Sequence, residues 1–337
     1  MSKYHYIIFS LISLLIISSC TEVDLTQKKI GAYIGETPPD TVAKLFAPGL
    51  LSTGFHTRDL AISPDGDEIY FCVNIGSNTF MTMLFTRRIN DEWTEPQVAT
   101  FASDLRYFTI EPCISSNGQK LFFASNHPDS LGKDHNSDIW YVKREGITWG
   151  LPQNLGTTIN TDAPEFFPSI TKDGTLYFTR DDHKTGISYI YRSHFKQGAY
   201  SEPELLPEQI NAGRSRFNAF ITPDESFIII PIFGMPDSYG ATDYYVSFRN
   251  KDDQWSEPIN LGNKINSKSR WEYSASISPD GKYLFFMSSK IDTSLVINHD
   301  IITMNDLREL ASKPENGNPD IYWIEAAFIQ KLRPEGF

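Results

Sequence analysis

Four acidic residues stand where β-like runs begin along the chain, and paired carboxylates can hydrolyse glycosidic bonds. One carboxyl group protonates the leaving oxygen while a second acts from the other side of the sugar. The candidates are Asp59, Glu111, Glu165 and Glu272. Asp59 and Glu111 lie three residues before a recurring isoleucine, whereas Glu165 and Glu272 lie five before it. No glycosidase motif surrounds them, so the sequence gives them a catalytic role only if the protein is an enzyme.

Six arginines lie near the same runs and could hold an anionic ligand. Guanidinium groups suit carboxylate and phosphate because they offer paired donors. The candidates are Arg58, Arg106, Arg180, Arg214, Arg216 and Arg270. The alternative is that they balance neighbouring glutamates in solvated ion pairs. The formal net charge of −12 argues against nucleic acid as a partner, since such binding relies on Lys and Arg neutralising phosphates.

One polar loop contains residue types that can bind a metal ion. His127, His135 and Asp138 lie in it, with Asp129 and Asp134 between them. Imidazole and carboxylate are proper ligands for several metals. Their spacing follows no regular ligand pattern, and a solvated loop explains them equally well. The sequence therefore predicts no cofactor.

A hairpin motif repeats five times and sets the positions of these residues. Each copy has a Pro-Asp-Gly-like turn between two runs of β-favouring residues, as in "SISPDGKYLFF" from Ser276. The isoleucine before each turn, here called the anchor, is Ile62, Ile114, Ile170, Ile221 and Ile277. The spacings are 52, 56, 51 and 56 residues. A period near 50 residues indicates a repeat architecture.

Each repeat continues with two further strand-like runs. A variable polar loop leads to a third strand, and an aromatic-x-x-Pro signature precedes a fourth: Trp93, Trp149, Tyr200 and Trp255 begin it. Four antiparallel strands describe a propeller blade, so the sequence predicts an all-β, five-bladed propeller over residues 42–334. The fifth repeat lacks the signature, whereas "VAKLFAPGLLS" upstream of the first hairpin resembles a fourth strand. We therefore expect this N-terminal strand to pair with Asp320–Glu325 and close the ring.

The N-terminus resembles a bacterial lipoprotein signal peptide. Lys3 precedes an apolar stretch from Tyr6 to Ile17, and small residues lead to Cys20. The alternatives are an ordinary secretory signal or an uncleaved anchor. This resemblance implies that residues 1–19 are removed, that Cys20 carries a lipid and that residues 20–41 form a tether. Thr21 after the cysteine implies the outer membrane, with contact to the membrane through the lipid alone.

The hairpins resemble the PD-type, WD-like repeats of TolB-like propellers and of many bacterial lipoproteins. This resemblance covers residues 42–334 and implies a periplasmic or surface binding role without chemistry. Propellers put their variable loops on one face, here called the loop face, and the Pro-Asp-Gly turns on the other, the turn face. An insertion at 290–319 lies among these loops, and "IITMNDLREL" within it predicts a helix capped by Asn305.

Function usually resides on variable loops. The sequence thus predicts a non-catalytic envelope protein that binds a glycan or peptide on the loop face, an anionic one being an option. A glycan-active hydrolase or lyase and an assembly scaffold are the alternatives.

Overall fold

The computed structural model of the chain describes residues 29–128, 137–268, 272–294 and 301–337. Cys20 and the signal peptide lie outside the described residues. No helix in the described part of the chain is long and apolar enough to cross a membrane.

Five small antiparallel sheets form the blades of a propeller, which confirms the predicted fold. Blade 1 contains β2 (His56–Ile62), β3 (Glu68–Ile75), β4 (Phe80–Ile89), β5 (Glu92–Trp93) and β6 (Gln97–Val98). Blade 2 contains β7 (Thr109–Ile114), β8 (Lys120–Ser125), β9 (Asp138–Glu145), β10 (Thr148–Trp149) and β11 (Gln153–Asn154). Blade 3 contains β12 (Glu165–Ile170), β13 (Leu176–Asp181), β14 (Ser188–Ser193) and β17 (Glu204–Leu205), with a separate ribbon of β15 (Phe195–Lys196) and β16 (Ala199–Tyr200).

The last two blades follow the same plan. Blade 4 contains β18 (Ser215–Arg216), β19 (Phe220–Ile221), β20 (Phe227–Phe233), β21 (Thr242–Phe248) and β22 (Ile259–Asn260). Blade 5 contains β23 (Ala275–Ile277), β24 (Tyr283–Ser288), β25 (Asp320–Glu325) and the N-terminal β1 (Lys44–Leu45). The helical segments are short turns at Ala32–Gly35 and Thr100–Ala102, helix α1 (Met304–Ser312) and helix α2 (Ala327–Gln330).

The N-terminal strand closes the ring, as the missing signature in the fifth repeat predicted. Lys44 pairs with Trp323 and Leu45 with Tyr322, antiparallel. Phe46, next along the chain, is fully buried against Phe285 and Trp323. Without β1, the outer edge of β25 would be left unpaired, and exposed edges invite aggregation.

Residues 29–41 belong to the stretch that the sequence assigned to a tether, and here they pack on the turn face. Ile30 bridges to Glu92 in blade 1. Tyr33 donates a hydrogen bond to Asp280 in blade 5, at 2.9 Å. Ile34 is fully buried in the cluster that contains Phe46. This segment therefore joins the first blade to the last.

Apolar clusters between neighbouring blades form the core. Blades 4 and 5 meet through one such cluster, in which Tyr244 of blade 4 packs edge-on against Phe286 of blade 5. The signature aromatics add to these contacts: the Trp149 indole N–H donates to the Tyr70 hydroxyl of the preceding blade, at 2.7 Å. Aromatic side chains bury large areas, so radial stacking rather than any single sheet stabilises the ring.

The helix predicted in the 290–319 insertion forms, but its start differs from the prediction. Helix α1 begins at Met304 with Thr303 as its N-cap. The Thr303 hydroxyl accepts from the Asp306 N–H, and the Asp306 carboxylate accepts from the Thr303 N–H. This reciprocal capping box satisfies two free N–H groups. Asn305 therefore lies inside the first turn, and its predicted capping role is wrong.

Candidate functional site

Every innermost strand bends at the same repeat position. The residue three before each anchor has a left-handed backbone, with φ of 57° at Asp59, 63° at Glu111, 49° at Phe167, 52° at Asn218 and 64° at Ser274. In blades 1 to 3 the pairing register shifts at this point. Such bulges re-aim side chains, and a left-handed non-glycine residue costs about 1 kcal/mol or more. This conformational cost arises once in each of the five blades. The five left-handed residues lie at one level of the central channel.

Polar side chains at this level connect into a closed network, here called the polar ring: Arg58, Asp59, Glu111, Asn218 and Ser274. The Arg58 guanidinium lies 2.6 Å from the Asp59 carboxylate and 2.7 Å from that of Glu111. The Asn218 amide donates to Glu111 at 3.3 Å and to Ser274 at 3.2 Å. The Ser274 hydroxyl donates to Asp59 and completes the circuit. All five residues are less than 10 % exposed.

One aromatic side chain, that of Tyr273, packs against the polar ring through Arg58. The Arg58 guanidinium lies 4.6 Å from the centre of the Tyr273 ring, a cation–π distance. The Tyr273 hydroxyl is 3.1 Å from His56 Nε2. Burial, reinforced by the Arg58 charge, lowers the pKa of His56 to about 4. His56 is therefore neutral at neutral pH and adds no second cation beside Arg58.

Burial gives Glu111 an unusual proton affinity. Its pKa rises to about 7, mainly through burial; the Asp59 charge adds to the rise, and the Arg58 charge opposes it. One Glu111 oxygen also accepts the Phe167 N–H at 2.7 Å. With both carboxylates ionised, the two acids and one guanidinium would leave a net negative charge in the channel. A proton on Glu111 removes that charge.

The other two acidic candidates lie elsewhere and share a different arrangement. Glu165 accepts from the Thr161 N–H at 2.9 Å and from its hydroxyl at 2.6 Å. Glu272 accepts from the Ser267 N–H at 3.0 Å and from its hydroxyl at 2.6 Å. Burial raises the pKa of Glu272 to about 7. Both carboxylates thus fasten the loops that enter their blades, and neither belongs to the polar ring.

The candidate arginines divide into three groups. Three lie in ion pairs: Arg58 in the polar ring, Arg106 with Asp104 and Arg180 with Glu165, the last two at 2.6 Å. Arg214 is exposed and Arg216 is buried. Arg270 lies outside the described residues. Arg58 and Arg180 pair with glutamates that the ion-pair alternative named, but the Arg58–Glu111 pair is buried rather than solvated.

The metal candidates make other contacts. The His127 ring packs against Tyr107 and Trp140, with centroids 4.7 and 5.5 Å away. Asp138 accepts from the Asn154 amide at 2.7 Å. His135 lies outside the described residues. Among the residues described, no group of three or more potential ligands is placed to hold a metal ion.

A cavity of about 530 Å³ lies on the turn-face side of the polar ring. Asp59, Phe167 and Ser274 border its inner end. All five anchor isoleucines line its walls, and its mouth is formed by the tight turns, with Pro64, Ser116, Lys172, Asp224 and Pro279. Pro112 and Pro168 also line the cavity. Proline is tolerated at these positions because one edge of each inner strand faces the channel and needs no N–H donor there.

Of the five left-handed residues that lie three before the anchors, the sequence indicated two. Asp59 and Glu111 were singled out as acids, whereas Phe167, Asn218 and Ser274 were not. Their common distance of three residues from the anchor was the available signal. Tyr273 was missed as well, because an aromatic residue before a strand has no chemical signature of its own.

Comparison with known proteins concerns the fold. No family model matches the chain, nor does any curated protein. Among solved structures, the putative TolB from Agrobacterium tumefaciens is 15 % identical with a TM-score of 0.46, over 80 % of this chain and 90 % of that one. TolB from Acinetobacter baumannii is 14 % identical with a TM-score of 0.45, over 81 % of this chain but 57 % of that one. A thermostable family-43 glycoside hydrolase is 14 % identical with a TM-score of 0.47, over 85 % and 92 %. These are likenesses of propeller architecture.

Proposed function

We propose that the protein is a non-catalytic binding propeller whose ligand enters the central cavity from the turn face. The cavity supports this, because its volume of about 530 Å³ lies within the range of about 300–1,000 Å³ for small-ligand sites. The variable loops of the sequence had predicted a site on the loop face. The position of the cavity moves the proposed site to the other end of the channel.

The lining favours an uncharged, mainly apolar ligand. Aliphatic side chains from all five blades form the walls, and burying apolar surface contributes about 25 cal/mol per Å². Among the described lining residues, the charged ones are Asp59, Lys172 and Asp224. The Asp59 carboxylate is held by Arg58 and Ser274, and the other two stand in the exposed turns. A neutral peptide segment therefore suits the cavity better than an acidic glycan.

Alkylation of Cys113 tests occupancy directly. Cys113 lines the cavity and is half-buried, whereas Cys72 is fully buried and serves as a reporter of unfolding. Burial raises the pKa of the Cys113 thiol to about 11, so its alkylation is slow and sensitive to occlusion. In a chain carrying Cys20→Ala, a capped hexapeptide of valine and serine should slow alkylation at least tenfold. The same peptide with two glutamates should have little effect, and so should a neutral glucan hexasaccharide.

Two tryptophan variants, one at the mouth of the cavity and one remote from it, provide a test and its matched control. Ser116 is exposed and borders the cavity, so Ser116→Trp should weaken peptide binding at least tenfold while the protein stays folded. Lys196→Trp places the same bulk on an exposed ribbon at the outside of blade 3 and should change nothing. Binding that survives Ser116→Trp, or Cys113 alkylation that no neutral peptide slows, would refute the cavity as the site.

A second candidate is a glycan-active enzyme, favoured by the raised pKa of Glu111 beside Asp59. A buried acid that keeps its proton near neutrality is a proper general acid, and an adjacent carboxylate can act as nucleophile. Against it, both carboxylates are bound within the polar ring and nearly inaccessible. Turnover of an oligosaccharide that disappears in both Glu111→Gln and Asp59→Asn would replace the binding proposal.

We further propose that Cys20 anchors the protein in the outer membrane through a lipid. The apolar stretch and small residues before Cys20 support this. Cys20→Ala should move the protein from the membrane fraction to the soluble fraction of fractionated cells. Sedimentation of this variant with membranes in high salt would contradict lipid anchoring.

A further inference from the structure

Blade 4 departs from its neighbours at the loop by which the chain enters it. Blades 3, 4 and 5 share an asparagine in this loop, whose side-chain oxygen accepts a strand N–H of the preceding blade at 2.8 Å each time: Asn160 from Ile139, Asn211 from Ile190 and Asn266 from Tyr244. The backbone of the three loops is thus fixed in the same way. The residues that follow the asparagine differ.

In blades 3 and 5, a glutamate completes this loop. The residue after the asparagine is Thr161 or Ser267, and its N–H and hydroxyl both donate to Glu165 or Glu272. In blade 4 the residue after the asparagine is Ala212, and an arginine, Arg216, stands five before the anchor in place of the glutamate. Within the described structure, no hydrogen bond reaches the Ala212 N–H. The donor that binds a carboxylate in both neighbouring blades is present here without one.

Arg216 brings a positive charge to this loop, and no counter-ion lies beside it among the residues that the structure describes. The residue is 4 % exposed, and its guanidinium lies 4.4 Å from the centre of the Tyr189 ring. Its Nε donates to Asn211 at 3.2 Å, whereas its buried Nη1 has no hydrogen-bond partner within residues 29–128, 137–268, 272–294 and 301–337. None of the carboxylates in the described ranges forms an ion pair with it, and burial lowers its pKa. An uncompensated buried charge is costly, because the desolvation is not offset.

We propose that a carboxylate from a ligand takes the place of the missing glutamate in blade 4. It would accept from the Ala212 N–H, as Glu165 and Glu272 accept from the matching N–H groups, and it would neutralise Arg216. Guanidinium–carboxylate pairing is charge-assisted and directional, which favours a planar carboxylate. This site lies at the loop-face end of blade 4, so it is separate from the central cavity and independent of it.

Propionate is the natural probe, because it reproduces the glutamate side chain that blades 3 and 5 supply. Titration of the full chain with propionate should shift the Arg216 Nε–H resonance in a saturable way. Propionamide, which has the same shape without the charge, should leave that resonance in place. Inorganic phosphate should bind more weakly than propionate. Tighter binding of phosphate would overturn the carboxylate assignment.

A double variant separates the site from the rest of the protein. Ala212→Ser with Arg216→Glu rebuilds the serine–glutamate pair of blade 5 in blade 4, so it should fold and should weaken propionate binding at least tenfold. Because the arginine resonance is lost there, binding is followed through the backbone N–H of residue 212. Arg216→Gln, which keeps a donor but removes the charge, should also weaken binding at least tenfold. Equal binding by parent and either variant, or no shift in the parent, would overturn the proposal.

Discussion

The two halves of the central channel differ sharply although the same five strands line both. The turn-face half repeats itself: each blade contributes an anchor isoleucine and a tight turn, and together they surround an open apolar cavity. In the loop-face half, the side chains that meet across the channel do not repeat. At one level this half contains an acid in blades 1 and 2, a phenylalanine in blade 3, an amide in blade 4 and a hydroxyl in blade 5, and these close the channel.

This difference shows how a repeat can build two kinds of structure. Positions that are alike in every blade produce a symmetric space, whose shape follows from the period. Positions that differ between blades can form a single asymmetric network, because each side chain has a different partner across the channel. Arg216 is a position that differs between blades, because it stands in blade 4 where blades 3 and 5 have a glutamate. An asymmetric site in a repeat protein is therefore expected where one blade departs from the others.

The largest expected effect comes from removing the cation of the polar ring. Arg58→Met leaves Asp59 and Glu111 buried without a counter-charge, which should lower the free energy of unfolding by about 3–5 kcal/mol. Arg106→Met removes an exposed, solvent-screened ion pair and should lower the free energy of unfolding far less than Arg58→Met does. Urea denaturation of the two variants makes the comparison. Equal losses in the free energy of unfolding would mean that the polar ring contributes no more to stability than an exposed ion pair.

A smaller effect should appear as the pH is changed. The pKa values of Glu111 and Glu272 are about 7 in the folded protein, against an ordinary 4.5. Between these values the folded state binds more protons than the unfolded state, so the free energy of unfolding falls as pH rises from about 4.5 to 7. The raised pKa of Glu111 alone corresponds to a decline of about 3 kcal/mol, largely complete above pH 7, and the raised pKa of Glu272 adds a second decline of similar size. Glu111→Gln should flatten part of it, and an unchanged pH profile in that variant would contradict the buried proton.

The smallest effects should be found at the turn face and should be alike in every blade. Asp65, Asp173 and Asp280 each accept a hydroxyl and a backbone N–H within their own turn. Replacement of each by alanine should cost about 1 kcal/mol, the worth of an ordinary hydrogen bond. Asp280→Ala should cost slightly more, since Tyr33 also donates to it. Thermal denaturation would measure the loss of stability in each variant. A turn variant that loses as much stability as Arg58→Met would contradict the difference between the two halves of the channel.

The sequence predicted the architecture because its signals are local and repeated. A Pro-Asp-Gly turn specifies a hairpin from a few residues, the period specifies the ring, and the missing signature in the fifth repeat indicates the closing strand. The polar ring depends on residues from Arg58 to Ser274 that meet only after closure. The five left-handed residues at this level are two acids, a phenylalanine, an asparagine and a serine. No glycine in the sequence therefore marks these positions. The cavity is lined by side chains from all five blades, so its position could not be deduced from any single repeat.

The closing strand has a consequence for how the chain is made. Because β1 is the first strand of the ring to leave the ribosome and β25 is the last, Lys44 cannot pair with Trp323 until the strands between them have been synthesised. Contacts between such distant residues form late, since the intervening loop must first be ordered. We therefore expect the nascent protein to present the outer edges of its blades until the final strand emerges. Closure of the ring would then join its first and last strands, so a chain cut short before residue 320 would lack the partner of β1.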